Sequence, residues 1–155
     1  MAARGAQNWS LRPSQLLWKL SDRARQFRQS STLTAEAALG KRGEDLAHRY
    51  LRQMGFTIVA RNYRPGADSE VDIVARRGDL LIFVEVKTRT SSEASHPDRA
   101  IDLQKQEHIA RAARSYVTRA GIEWNRVRFD TIAVVLDDPP SIVHHEDAFF
   151  HGRAN

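Results

Sequence analysis

The chain has 155 residues, 41% of them apolar and 28% charged, with a formal net charge of +5 and no cysteine. That length and composition suit one soluble globular domain with a core of its own. They exclude disulfides, thiolate metal centres and a cysteine nucleophile, and no apolar run nears the roughly 18 residues that span a bilayer.

The charge is concentrated at the start. Of 24 basic and 19 acidic residues, six and one lie in residues 1–33, which leaves 18 of each sign in the rest. The sequence pI of about 10.1 is therefore a property of the tail. Residues 1–33 are expected to be a basic, solvated N-terminal extension. The alternatives are an arm drawn to nucleic acid or anionic lipid by counterion release, or a transit peptide, since the stretch is rich in Arg and Ser and poor in acids. The absence of cysteine fits a reducing compartment, and the cytoplasm is the expected location with no membrane partner.

From Thr34 onward the elements follow in order. "TAEAALGKRGEDLAHRYLRQMG" predicts a helix with Thr34 as N-cap, a stripe of Leu46, Ala47, Tyr50, Leu51 and Met54, and Gly55 as its stop. "FTIVARNY" reads as a strand and "RPGADS" as a loop. "EVDIVA" and "LLIFVEVK" form a hairpin about a turn containing Gly78. A second helix is expected from about Asp98 to Ala120, with Ile109, Ala112, Ala113, Tyr116, Val117 and Ala120 on one stripe and Gly121 at its end. "VRFDTIAVVL" and "IVHHE" supply two further strands. The order α-β-β-β-α-β-β predicts an α/β domain over residues 34–155, a mixed sheet flanked by helices, with one crossover between the third and fourth strands.

The hairpin carries charges where apolar residues belong. Alternation puts Glu85 and Lys87 on the face of Leu81 and Phe83, and Asp72 on the face of Val74. A hairpin loop of two or four residues brings Asp72, Glu85 and Lys87 to one face, unless a bulge at Gly78 shifts the parity. Two neighbouring carboxylates need a cation: a hard divalent metal, with the Val86 carbonyl as a further ligand, or Lys87 in a salt bridge with Asp72 or Glu85. Both readings stand on spacing alone. On the first helix Glu44 borders the stripe directed at the sheet, while Gly40 and Gly43, poor helix formers, suggest close approach of another backbone or of a substrate.

The stretches "GKRGEDLAHRYLRQMGFTIVARNYR", "EVDIVA", "FVEVKTR", "QKQEHIARAARSYV" and "RFDTIAVV" resemble the YraN-type bacterial family across about residues 38–136. That family is similar to PD-(D/E)XK nucleases and archaeal Holliday-junction resolvases. The resemblance implies a restriction-endonuclease-like fold. It makes Glu44 the helix-borne acid, Asp72 the strand acid, and Glu85 with Lys87 the E-x-K pair. Arg89 falls in the usual "VKTR", and Asn62 and Lys105 match recurrent polar positions. One departure is Ser69, where the family usually has Gly.

A metal-dependent endonuclease is the activity this implies. Asp72, Glu85 and Glu44 would be ligands for Mg²⁺ or Mn²⁺, and Lys87 would assist the attacking water. Arg61, Asn62, Arg64, Arg89, Lys105 and Arg111 would contact a nucleic acid, expected to be DNA and by analogy branched, with a homodimer suiting a junction that has two scissile strands. The alternative is a nucleic-acid-binding accessory protein that kept the fold without catalysis. Other candidates are weaker. His144 and His145 alternate across a strand and cannot chelate one ion, His96 and His108 have no partner at ligand spacing, and Asp130 reads as structural beside Arg128. Trp9, Trp18 and Trp124 could stack bases, although Trp124 reads as a lid on the core. No Walker or G-x-G-x-x-G loop is present.

Overall fold

Thr34 opens the first helix. Its hydroxyl oxygen accepts a hydrogen bond from the Ala37 N–H at 3.2 Å, satisfying one of the donors that a first turn leaves free. In the computed structural model, which describes residues 34–91 and 103–149, this helix (α1) runs Ala35–Gln53. It ends before Gly55, whose φ of 85° turns the chain into the sheet. The expected basic extension of residues 1–33 lies outside the described residues, as do Trp9, Trp18, His96 and the expected start of the second helix at Asp98.

Three antiparallel strands follow: β1 (Thr57–Gly66), β2 (Ser69–Arg77) and β3 (Leu80–Arg89). Helix α2 (Leu103–Ala120) and a short 3-10 turn (Trp124–Arg126) lead into β4 (Val127–Val135), which pairs with β3 in parallel. Strand β5 (Ser141–His145) closes the edge antiparallel to β4, and the spatial order is β1-β2-β3-β4-β5. The mixed sheet and the α-β-β-β-α-β-β order are those read from the sequence. Within the described residues, no helix is long and apolar enough to cross a membrane.

The sheet separates two apolar layers. On one face Ala47 and Leu51 of α1, with Phe56, bury against Ile73, Ala75, Ile82, Val84, Ile132 and Val134. On the other, Tyr116 of α2 meets Phe83 edge-on, and Phe83 stacks on Phe129, which Trp124 and Phe149 also contact. Trp124 is thus the core lid expected. Two local expectations are corrected. Met54 stands past the last turn of α1 and is 50% exposed, so it lies off the packing stripe. The loop expected over "RPGADS" shrinks to a turn at Ala67 and Asp68, because β1 runs on to pair Gly66 with Ser69 after a break in register.

Gly43 answers the question of the helix glycines, and Gly40 does not. A Cβ built on Gly43 would lie 1.8 Å from Thr88 Oγ1 and 2.8 Å from Thr88 Cβ, whereas one on Gly40 meets nothing. The close approach is therefore to β3 of the same chain. It lets α1 sit low over the strand end that carries Glu85 and Lys87.

Asp130 is fully buried on the α1 face and is held by four donors. Arg128 grips it with Nε and Nη2 at 2.8 and 2.7 Å, His144 Nε2 lies at 2.8 Å, and the Asp147 N–H donates at 3.0 Å. Burial opposes its charge, yet the bonds from His144, Arg128 and Asp147 outweigh that and hold its carboxyl below the usual aspartate range. The expected structural role beside Arg128 stands. His144, expected at the surface, instead has a buried side chain in contact with Tyr50 and Phe56.

Two outcomes follow from this packing. Gly43→Ala is expected to lose roughly 1–3 kcal/mol by overpacking, and Thr88→Ala in the same chain to recover part of it, as read by urea unfolding. Asp130→Ala is expected to lose about 3 kcal/mol or more at neutral pH, since it leaves Arg128 without its buried partner. With the folded pKa depressed, that stabilisation is complete above the ordinary aspartate value of 3.8 and fades as pH falls below it. The gap between the two unfolding curves therefore narrows in acid.

Candidate functional site

A two-residue turn fixes the parity of the hairpin. Arg77 pairs with Leu80 across Gly78 and Asp79, and Gly78 takes the φ of 59° that the first position of a II′ turn demands. The register then runs to Ile73 opposite Val84, so one further step sets Asp72 against Glu85. No bulge intervenes. Both side chains, with Lys87 two residues beyond Glu85, belong to the face of Phe83 that α2 covers.

At that step the hairpin ladder stops and side chains take over. Asp72 Oδ2 accepts the Val86 N–H at 2.7 Å. Its main-chain neighbour here is therefore the Val86 amide, where the Val86 carbonyl had been expected to join a metal. Asp72 is 8% exposed and Glu85 7%, and their carboxyls lie within hydrogen-bonding reach of each other. Burial pushes the Asp72 carboxyl up, with the Val86 N–H pulling against it. Burial and then the Asp72 charge push Glu85 up to about 8. Glu85 Oε2 is buried with no hydrogen-bond partner among the described residues, and Thr131 Oγ1, on the strand position beside Glu85, is orphaned in the same way. Two adjacent buried carboxyls can be reconciled only by a shared proton or by a cation.

One cation is already close. Lys105 of α2 places Nζ 3.5 Å from Glu85 Oε1 with its side chain 35% exposed. Burial opposes the ammonium charge, but Glu85, Asp72 and Glu70 together hold its pKa above the ordinary lysine value. A salt bridge to Lys87 was weighed as the alternative to a metal; the ion pair seen on Glu85 is with Lys105. Lys87 is half-buried at its expected place on β3.

Glu44 comes from the other layer. Helix α1 packs on the face opposite Asp72 and Glu85, yet Glu44 lies near enough to Asp72 and Glu70 to feel their charges. Burial and then the Asp72 charge raise its pKa, while a hydrogen bond from Asn62 and the charge of Arg61 oppose them. Asn62 has a φ of 48°, a left-handed conformation that Asn tolerates better than most residues. Arg61 lies 2.6 Å from Asp45 and 3.9 Å from Glu44.

The residues expected to touch nucleic acid therefore divide. Arg61, Asn62, Arg64 and Lys105 all meet acids of this chain, Arg64 pairing with Glu70. Arg111 is exposed on α2, and Arg89 is half-buried at the end of β3, where its carbonyl accepts the Leu136 N–H at 2.8 Å. Sequence reasoning missed Glu70 as a fourth nearby acid, Thr131, and the pairing of Lys105 with Glu85. Among the described residues no three acids or histidines come together as a metal cage. What exists is a two-carboxylate donor set with an orphaned oxygen. That suits Mg²⁺ or Mn²⁺, hard ions that keep waters and take substrate phosphate as further ligands.

Residues 43–134 match the sequence profile described as Uncharacterised protein family UPF0102. A UPF0102 protein of Solibacter usitatus (strain Ellin6076) is 45% identical over 135 residues, covering 86% of this chain and 98% of its own length. One from Rhodococcus jostii (strain RHA1) is 45% identical over 114 residues, 72% of this chain and 96% of its own. Another, from Geobacter sulfurreducens, is 45% identical over 113 residues, 72% and 88%.

The acid pair makes stability depend on pH. A carboxyl raised in the fold is protonated at no cost below its ordinary value of 4.5 and must ionise, unfavourably, as pH rises toward about 8. Without added metal, unfolding free energy should fall by roughly a few kcal/mol across that window. Glu85→Gln should flatten the decline, and chemical denaturation at pH 5 and pH 8.5 reads the difference.

Proposed function

The chain belongs to the UPF0102 family, and on that footing we propose that it is a metal-dependent phosphodiesterase, an endonuclease acting on DNA. The observation that carries the proposal is the buried Asp72–Glu85 pair with Glu85 Oε2 lacking any hydrogen-bond partner among the described residues. The names of the relatives carry no activity, so the reading rests on the site and on its likeness to the acid, acid and E-x-K pattern of PD-(D/E)XK nucleases.

In this reading Asp72 and Glu85 hold Mg²⁺ or Mn²⁺, which when bound polarises the scissile phosphate and acidifies a water. The Val86 N–H fixes one oxygen of Asp72 and so aims the other. Glu44, oriented by Asn62 and Arg61, accepts a proton from a water at the open end of the pair, its raised pKa bringing it nearer the operating pH. Lys87 places an ammonium on the same strand face, where it offsets charge developing on the phosphate oxygens. Arg111 and Arg89 would meet neighbouring phosphates, which position the strand without reading its sequence. A branched DNA with two scissile strands would engage two copies of the chain.

A second reading has its own observation. Lys105 already partly neutralises the acid pair, as in a binding protein that kept the fold and lost the chemistry. The separating experiment titrates Mg²⁺ and Mn²⁺ against a labelled four-way junction and a plain duplex. Under the first reading cleavage requires metal and drops at least about 100-fold in Asp72→Ala and in Lys87→Ala. Binding that survives both changes with no cleavage at any metal concentration supports the second.

A further inference from the structure

Lys105 lies where a metal's charge is needed, and the site treats it as a lodger. Its Nζ is 3.5 Å from Glu85 Oε1, a loose ion pair, and it leaves Glu85 Oε2 without a partner among the described residues. The same ammonium feels Asp72 and Glu70, so it serves the whole acid cluster. A residue that finally satisfied the pair would be buried and hydrogen-bonded to both oxygens, as Arg128 is on Asp130. Lys105 is instead 35% exposed, on a flexible four-carbon stem, and can swing into solvent.

We propose that Lys105 is a built-in counter-ion that competes with the divalent metal for the Asp72–Glu85 pair, so that metal loading requires the ammonium to leave Glu85. This rests on the metal-site reading above and adds a regulation of it. The contact keeps the carboxylate pair tolerable in the metal-free chain, and it raises the metal concentration at which the site fills. Coulomb repulsion sets the two occupants against each other, since an ammonium 3.5 Å from Glu85 Oε1 weakens the attraction that a dication on the same carboxylate would feel. Lys105 is thus a positioning residue whose loss affects metal affinity before any chemistry.

The test is Mn²⁺ binding to the full chain, followed by paramagnetic resonance of free Mn²⁺ and by the thermal shift that bound metal produces. Lys105→Met is expected to bind Mn²⁺ at least about tenfold more tightly than wild type. Lys105→Arg keeps the charge and should bind no more tightly than wild type. Arg114→Met, which removes an exposed charge from the same helix, should leave the affinity unchanged. Without metal, Lys105→Met should melt lower than wild type, having lost the ion pair with Glu85, and regain that loss on adding Mn²⁺.

The outcomes separate the two claims. If wild type binds Mn²⁺ through Asp72 and Lys105→Met binds it equally or more weakly, the competition is overturned and the metal site survives. An equal gain in Arg114→Met would also overturn it, by reducing the effect to net charge. If neither wild type nor Lys105→Met binds Mn²⁺, both claims fall together.

Discussion

Two carboxyl groups held side by side under a helix set the terms for this molecule. In a low-dielectric setting Asp72 and Glu85 each raise the cost of ionising the other, and nothing apolar can relieve that. The surrounding chain answers one atom at a time. The Val86 N–H takes one oxygen of Asp72, Lys105 approaches one oxygen of Glu85, and the remaining Glu85 oxygen has no partner among the described residues. That residue of unmet demand distinguishes the cluster from an ordinary buried ion pair. It also places a request for positive charge on the structure.

The contrast with Asp130 makes the point within one fold. Both clusters bury an aspartate on the same sheet, yet Asp130 has a bidentate guanidinium, an imidazole and a main-chain amide, and its carboxyl is pulled down. Asp72 has one amide and a loose lysine nearby, and its carboxyl is pushed up. A saturated charge ties β4 to β5 and the turn that follows, and it serves stability. An unsaturated one spends stability, the common mark of a site kept for binding or chemistry.

Much of this was legible in the chain, for definite reasons. The period of a strand is two, so once the Gly78 turn is known to hold two residues, Asp72 and Glu85 must share a face with Lys87. Gly43 announced a close approach because glycine is costly in a helix. The unread parts depend on residues far apart in sequence. Glu85 and Lys105 are brought together by α2 crossing back over the sheet, and no local pattern encodes that meeting. The burial of His144 follows from Asp130 on the neighbouring strand. Glu44 feels the charge of Asp72, as its spacing suggested, although α1 packs on the opposite face of the sheet. The length of β1 was missed because its register breaks carry it through the residues that read as a loop.

The claim beneath all of this is that Asp72 and Glu85 are a metal's ligands. Crystals soaked in Mn²⁺ and measured at an anomalous wavelength test it directly. The account predicts one anomalous peak about 2.1 Å from an oxygen of each carboxylate, with the Lys105 ammonium moved off Glu85. A fully soaked crystal with no peak there, and Lys105 still seated on Glu85, would contradict it.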